Sequence, residues 1–366
     1  MESSLFFKEI EHHYDEELPF VCIAQKQNLK AYLQSDNELV ELTDFNSSGF
    51  VFCPFSMLNK KIIFPENRTE FIESRIETIE VKTNKKSIIE SKDEKGLHLK
   101  LVSKAIKAIG EGQAQKIVCS RKIKISGRIN PIETFMKLAQ LYPEAYSYCW
   151  YHPKIGLWTG ATPERFINLD RNVLKTVALA GTLDALEYLQ PKWRPKEQDE
   201  QQMVTDFIVS SLEKHSNTIR VQDVESVRAG NLWHLKTNIS AEIQPDSLSE
   251  IINELHPTSA VCGLPQSATK SFILEHENYN REYYAGFLGE LNIKTSINRR
   301  KQSLNQEQLA IKSIKTISDL YVNLRCMQVF EDHVEIYVGG GITKDSNPKA
   351  EFEETVAKSQ TLLNVL

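Results

Sequence analysis

The feature that most constrains the fold of this chain is the alternation of helix-like and strand-like segments after residue 96. Leu97–Ile109 has apolar residues at helical spacing, and Lys116–Ile125 is a β-branched segment with the partial alternation that strands prefer. Tyr146–Trp158 and Arg165–Leu169 are also strand-like, whereas Lys196–Leu212 again has helical periodicity. Because helices and strands interleave, the sequence predicts a mixed α and β fold.

The C-terminal segments continue this pattern. Tyr321–Phe330 and His333–Val338 are predicted to form a closing strand pair. The final helix is predicted to begin near Asn347–Pro348, because Asn caps helices and Pro suits the first turn. Two polar stretches, Glu80–Lys95 and Asn292–Asn305, are predicted to be exposed connections.

Length, composition and charge narrow the class of protein. The chain has 366 residues, which is compatible with one large α/β or α+β unit. Hydrophobic residues make up 41% and charged residues 25%, so neither a disordered nor a fibrous class is indicated. The net charge of -5 gives no basic field that would attract a phosphate backbone, so no nucleic-acid partner is expected.

Targeting segments and cysteine motifs are not recognisable in the sequence. The N-terminus carries Glu2, Glu9 and Glu11 where a signal peptide would have a basic start and an apolar run. The sequence contains no run of 18 consecutive apolar residues, so no membrane span is expected. The six cysteines are spread singly without zinc-like spacing, and buried free thiols are expected. We therefore expect a cytoplasmic protein with no membrane partner.

Two pairs of glutamates lie three residues apart on predicted helices. Glu197 pairs with Glu200, and Glu351 pairs with Glu354, so that each pair occupies one helix face. Two such helices facing each other would offer up to four oxygen ligands, which suits Mg²⁺ with waters and a substrate anion completing its octahedron. The spacing alone is equally compatible with exposed helix surface, so both interpretations stay open at this point.

A glycine triplet, Gly339–Gly341, follows the last predicted strand and precedes the final helix. Backbone N–H groups of glycine can approach an anion closely, because no side chain stands in the way. The triplet therefore predicts either a carboxylate-binding cradle or a tight turn between strand and helix.

Three longer motifs are similar to those of a known family: LAGT at Leu179–Thr182, HPTSAVCGLP at His256–Pro265, and GGGITKDSNPKAEFEE at Gly339–Glu354. In this order they resemble the chorismate-utilising enzymes, which include isochorismate, anthranilate, aminodeoxychorismate and salicylate synthases. The resemblance extends from about residue 97 to the end. It implies an α+β fold, a single large unit of packed antiparallel β-sheets with outer helices and a deep active-site cleft. Residues 1–95 would be a variable N-terminal part of this fold and residues 96–366 the chorismate-binding catalytic region.

The resemblance also implies which residues bind metal and substrate. Glu200, Glu351 and Glu354 match the family's Mg²⁺ ligands, with Glu197 as a further ligand, direct or through water. The metal would hold the ring carboxylate of chorismate. The groups expected to bind the substrate are Thr182, His256, Ala260, Arg325, Gly340, Gly341 and Lys358. For His256, a core histidine bonded to backbone stays as the alternative.

Three positions bear on the reaction. Lys116 matches the general base of the water-adding members, and Glu164 matches the general acid. Ala180 stands where aminodeoxychorismate synthases often have a nucleophilic lysine, and alanine cannot form a covalent intermediate. Water has to lose a proton as it adds at C2, while the departing C4 hydroxyl has to gain one, so a base and an acid are needed on opposite sides of the ring. The resemblance thus implies a Mg²⁺-dependent isochorismate synthase, monomeric or homodimeric.

Other family activities stay as alternatives. A salicylate synthase, which also eliminates pyruvate from isochorismate, has overlapping motifs. An anthranilate synthase is disfavoured by Lys116, and an inactive metabolite-binding homologue by the retention of the catalytic set. One departure concerns the segment KEQDEQ, in which Gln198 and Gln201 replace the Arg and His of many relatives. This exchange bears on metal affinity and rate more than on the type of reaction.

Overall fold

The computed structural model describes residues 1–77, 92–185, 190–229, 232–297 and 313–366. Within these residues there are seven α-helices: α1 (Ser3–Asp15), α2 (Lys92–Gly110), α3 (Pro131–Leu141), α4 (Pro195–Leu212), α5 (Leu248–Leu255), α6 (Gln266–His276) and α7 (Pro348–Leu363). None of the helices in the described ranges combines the length and apolar character needed to cross a bilayer.

The strands, numbered β1 to β18 along the chain, form two antiparallel sheets. In spatial order the first sheet contains β14 (Gly263–Leu264), β6 (Lys116–Ser126), β18 (His333–Ile342), β17 (Cys326–Val329), β8 (Gly156–Thr162), β7 (Tyr146–His152), β1 (Phe20–Gln25), β2 (Asn28–Gln34) and β5 (Thr69–Arg75). The second contains β11 (Ile219–Val221), β13 (Leu232–Glu242), β10 (Val173–Asp184), β9 (Arg165–Asp170), β16 (Ser313–Val322), β15 (Phe287–Ile297), β3 (Gly49–Cys53) and β4 (Ile62–Pro65), with β12 (Glu225–Ala229) also paired to β13.

The main core lies between the two sheets and is rich in aromatic side chains. Phe52 of β3 lies 4.7 Å from the ring of Trp150 on β7, and it stacks on Tyr283 with 4.2 Å between ring centroids. On the other side of the first sheet, Leu138 of α3 and Leu362 of α7 belong to a separate apolar cluster. Packed antiparallel sheets with helices outside them confirm the fold that the motifs imply.

Most of the predicted elements agree with the structure, since α2, β6, β9 and α4 cover the segments proposed for them. Asn347 caps α7 as expected, because its side chain accepts hydrogen bonds from Lys349 N and Ala350 N at 3.0 and 3.2 Å. The prediction of a loop at Asn292–Asn305 is wrong for residues 292–297, which belong to β15. The prediction of a connection at Glu80–Lys95 is likewise wrong for residues 92–95, which begin α2. Residues 80–91 and 298–305 lie outside the described residues.

The predicted strand Tyr321–Phe330 is in fact two strands in different sheets. Its first residues end β16 in the second sheet, and Cys326–Val329 forms β17, which pairs with β18 in the first. The chain crosses over at Asn323, which accepts from the Tyr148 hydroxyl at 2.7 Å and donates to the Tyr283 carbonyl at 2.9 Å. Arg325 then has φ +48°, which lies outside the extended conformation of regular strands. The apolar pattern alone did not reveal this break.

Replacing Phe52 by alanine tests the importance of the core between the sheets. The side chain is fully buried, so Phe52→Ala is expected to lower the free energy of unfolding by about 3–5 kcal/mol in chemical denaturation. The control is Leu58→Ala at a side chain that is 94% exposed, for which a change below about 0.5 kcal/mol is expected. Equal effects of the two substitutions would contradict this assignment of the core.

Candidate active site

A deep cleft lies among residues of both sheets and of helices α4 and α7. The empty space in it amounts to about 710 Å³ when the part open to solvent is included. The sequence-predicted residues that line it are Glu164, Thr182, Glu200, Ala260, Arg325, Gly340, Gly341, Glu354 and Lys358. Ala180, the alanine at the position where aminodeoxychorismate synthases often have a lysine, lines this cleft as well.

The glycine triplet belongs to β18 and is not a turn, because it continues the pairing of this strand with β6. A Cβ atom added at Gly341 would lie 2.5 Å from Glu200 Oε1 and 2.7 Å from Lys116 Cε. One added at Gly340 would lie 3.4 Å from Glu354 Oε1 and 3.6 Å from Glu351 Oε2. The two glycines therefore let three carboxylates and one amine gather at the strand backbone.

Lys116 is the first residue of β6, and its side chain is only 1% exposed. Its Nζ lies 2.8 Å from Glu200 Oε1, so the predicted base and one predicted metal ligand form a buried ion pair. The pairing of β6 with β18 sets this arrangement, since Lys116 starts the strand that lies beside the glycines.

Glu164 lies between β8 and β9 and is 4% exposed. Burial raises the pKa of this carboxyl to about 7, against the opposing influence of Lys116, Lys358 and Arg325. At neutral pH a large fraction of Glu164 is therefore protonated, as a general acid requires. Because the charge of Lys116 acts on Glu164, the predicted base and acid share one region of the molecule.

Helix α7 presents the second acidic pair. Burial raises the pKa of Glu351, and the neighbouring Glu354 acts in the same direction against Lys196. Burial also acts to raise the pKa of Glu354, but Lys358, 2.6 Å away, and Lys196 act together in the opposite direction, and the pKa is lowered. The two carboxyls thus differ in proton affinity although they lie on one helix face.

A basic side chain pairs with each carboxylate of the predicted metal set. The four ion pairs are Lys116 with Glu200, Lys196 with Glu351 at 2.7 Å, Lys358 with Glu354, and Arg194 with Glu197. Within the described ranges, no three carboxylate, imidazole or thiol groups converge on a single metal position. Three carboxylates around two glycines are nevertheless the hard oxygen donors that Mg²⁺ prefers, so the donor set fits this cation.

The structure gives Glu197 a partner at the start of α4, and its role near the metal stays a prediction. This residue accepts hydrogen bonds from the backbone N and Nε of Arg194, both at 3.1 Å, and so caps the start of α4. It does not line the cleft with Glu200. The spacing of three residues places Glu197 and Glu200 near one helix face. Glu197 nevertheless accepts from the N–H groups of Arg194 at the start of the helix.

For His256 the contacts favour the second of the two interpretations that the sequence left open. Its Nε2 lies 3.0 Å from the Pro54 carbonyl and 3.2 Å from the Phe55 carbonyl, and its ring packs against Phe166 and Phe287. Burial lowers the pKa of His256 to about 4, so the ring is neutral. This is the core histidine that the sequence left as the alternative.

Sequence reasoning missed His234 on β13, which lines the cleft. Its Nδ1 lies 2.8 Å from the Gly181 carbonyl, while Nε2 has no hydrogen-bond partner in the described part of the chain. Burial lowers the pKa of His234 to about 3, helped by Arg325 and Lys358, so Nε2 is an acceptor. A polar residue in the apolar segment LWHL was the only available signal.

The LAGT motif shapes this part of the cleft. β10 has a β-bulge between Ala180 and Leu183, where Gly181 has φ +70°, a conformation that favours glycine. The bulge turns the Gly181 carbonyl toward His234. Gln201, which replaces the family's usual histidine, donates to the Ala178 carbonyl and to Thr237 Oγ1, both at 3.0 Å. It thereby fixes α4, and with it Glu200, against β10 and β13.

Comparisons with known proteins agree with this geometry. The model of the family described as chorismate binding enzyme matches residues 30–298 and 313–364. Isochorismate synthase MenF of Escherichia coli is 26% identical over 276 residues, and its counterpart in Haemophilus influenzae is 26% identical over 275. These matches cover 73% and 72% of this chain but only 59% of each relative, so the chain spans less than two thirds of their length.

A solved structure, DhbC from Bacillus anthracis, has the same fold. It superposes with a TM-score of 0.76 at 21% identity, covering 98% of both chains. The family model matches far more than half of the sequence, and its description names the same substrate as the motifs do. The chain therefore belongs to the family of chorismate-binding enzymes.

Proposed function

We propose that this protein is an isochorismate synthase that adds water to C2 of chorismate and removes the C4 hydroxyl. The observation that carries the proposal is that the carboxyl of Glu164, with its pKa near 7, lines the cleft, while the buried amine of Lys116 lies directly behind Glu200 of the same cleft. Ala180 favours this reaction over one that needs a lysine nucleophile at the same position. The isochorismate synthases among its relatives support the assignment.

In the proposed reaction Lys116, in its neutral form, accepts a proton from the water that attacks C2. Glu164 gives its proton to the C4 hydroxyl, which leaves as water while the double bond migrates. Atoms balance, because one water is consumed and one is released. Each proton transfer by a positioned group accelerates such a reaction by about 10²–10⁴-fold.

The remaining cleft residues bind and orient the substrate. Arg325, which donates to the Lys358 carbonyl at 3.2 Å, and the Lys358 ammonium offer positive charge to the carboxylates of chorismate. The amides of Gly340 and Gly341 and the side chain of Thr182 line the same space, and Ala260 leaves room for the ring. His234 Nε2 is suited to accept a hydrogen bond from a substrate hydroxyl.

Glu200, Glu351 and Glu354 are the residues that would hold Mg²⁺. When bound, the cation neutralises the ring carboxylate of chorismate and fixes its position. Binding requires each carboxylate to loosen its contact with a lysine of this chain. Three further points stay predictions: the cytoplasmic location, the monomeric or dimeric state, and the description of residues 1–95 as a variable N-terminal part of the fold.

Product identification tests the assignment. Purified protein incubated with chorismate and MgCl₂ is expected to yield isochorismate, detected by chromatography and mass spectrometry. Pyruvate together with salicylate would identify a salicylate synthase instead, and anthranilate formed only with ammonium would identify an anthranilate synthase. Unchanged chorismate that is nevertheless bound would identify an inactive homologue.

Substitution of the acid and the base tests their roles. Lys116→Ala and Glu164→Gln are each expected to lower kcat by about 10²–10⁴-fold, because each removes one proton transfer. Chorismate should still bind in calorimetry with Mg²⁺ present. Matched controls are Lys122→Ala on the same strand and Glu335→Gln. Lys122 and Glu335 form an ion pair with 2.8 Å between Nζ and Oε2, and neither residue lines the cleft. Rates like those of the unaltered protein in either cleft variant would refute the assigned roles.

The pH dependence gives a separate test of Glu164. Its pKa is raised to about 7, so the protonated form that donates is present below pH 7 and is lost as the pH rises through this value. We expect the contribution of the acid to fall about tenfold per pH unit above about 7 in a profile of kcat/KM. A profile that stays flat or rises continuously from pH 6 to pH 9 would contradict Glu164 as the acid.

A further inference from the structure

Lys196 has no part in the proposed chemistry, yet it lies among the carboxylates of Glu200, Glu351 and Glu354, which we call the acidic cluster. It is on α4, one turn before Glu200, and its ammonium reaches across to α7, where Nζ lies 2.7 Å from Glu351 Oε1. Its side chain is mostly buried, at 23% exposure, and that of Glu351 is 3% exposed. The pair therefore links the two acidic helices under conditions of little solvent screening.

Lys196 differs from the other two lysines of the cluster. Lys358 lines the cleft, and Lys116 is the proposed base. Lys196 does not line the cleft. Its ammonium nevertheless interacts electrostatically with Glu351, Glu354 and Glu200, the three carboxylates that fit a divalent cation.

We propose that Lys196 is a built-in counter-cation of this cluster, which neutralises Glu351 until a divalent cation binds and thereby weakens the binding of that cation. The inference rests on the Mg²⁺ site of the proposed function. It assigns to Lys196 a positioning role that no motif predicted.

The physical basis is competition for one carboxylate. A buried carboxylate without a cation is strongly destabilising, so the lysine stabilises the protein while no metal is bound. A divalent cation that binds Glu351 has to share or break the same contact, and its charge then repels the ammonium. Because such coupling is reciprocal, removing the ammonium must favour the metal by as much as the metal disfavours the ammonium.

The test is the affinity for Mg²⁺ alone, measured by calorimetry without chorismate. Lys196→Met keeps the length of the stem but removes the charge, and its Kd for Mg²⁺ is expected to be about tenfold lower than that of the unaltered protein. Its Tm without metal should fall, and saturating Mg²⁺ should restore most of the difference. Lys196→Arg, which keeps a cation, should stay within about twofold in Kd.

Control variants separate the local effect from a general loss of charge. Lys214→Met removes another lysine paired with a glutamate, Glu254 at 2.9 Å, just beyond the other end of α4, and its Kd for Mg²⁺ should not change. In a Glu351→Gln background, Lys196→Met should no longer tighten Mg²⁺ binding, since the shared carboxylate is gone. If Lys196→Met does not fold, Lys196→Gln retains a hydrogen-bond donor without the charge and carries the same expectation.

A Kd for Mg²⁺ that is unchanged or higher in Lys196→Met and Lys196→Gln would overturn the inference. If the unaltered protein takes up no Mg²⁺ by itself, the titrations are repeated with chorismate present and the same order of Kd is required. The result is independent of turnover. A protein that shows this order but makes no isochorismate contradicts only the proposed function, and an active protein without this order contradicts only the role of Lys196.

Discussion

The site depends on charge matching inside a cleft that excludes most solvent. Three carboxylates and three ammonium groups occupy a small volume beside two glycines, and several of these side chains are almost fully buried. An isolated buried charge would destabilise the fold, so the acids can be placed there only because each has a cation nearby.

The strands and helices supply these charges from distant parts of the sequence. β6 brings Lys116 beside β18, α4 supplies Glu200 and α7 supplies Glu354. The bulge in β10 directs the Gly181 carbonyl to His234 on the neighbouring strand β13. Large buried aromatic residues between the sheets hold these elements in place. Rigid elements, and not long loops, therefore determine the positions of most cleft side chains.

Sequence reasoning found the parts of the site that carry a local or motif signal. Helical spacing marked Glu351 and Glu354, and the motifs marked Lys116 and Glu164, all of which the structure brings into one region. It did not foresee the contacts of Glu197 and His256, because nothing in the sequence tells whether an oxygen caps a helix or whether an imidazole meets a backbone carbonyl. The contact of Lys196 with Glu351 depends on the distance between two helices far apart in the chain, which no spacing rule predicts.

The crossover at Asn323 has a consequence for how the cleft can adapt. Arg325 lies just after the point where the chain passes from one sheet to the other, and Asn323 is bonded to Tyr148 and Tyr283 in the core. A shear of one sheet against the other would displace this guanidinium together with the buried amide. A cleft for a ligand of another size is therefore reached with less loss of stability by exchanging inward-facing side chains than by moving the two sheets apart.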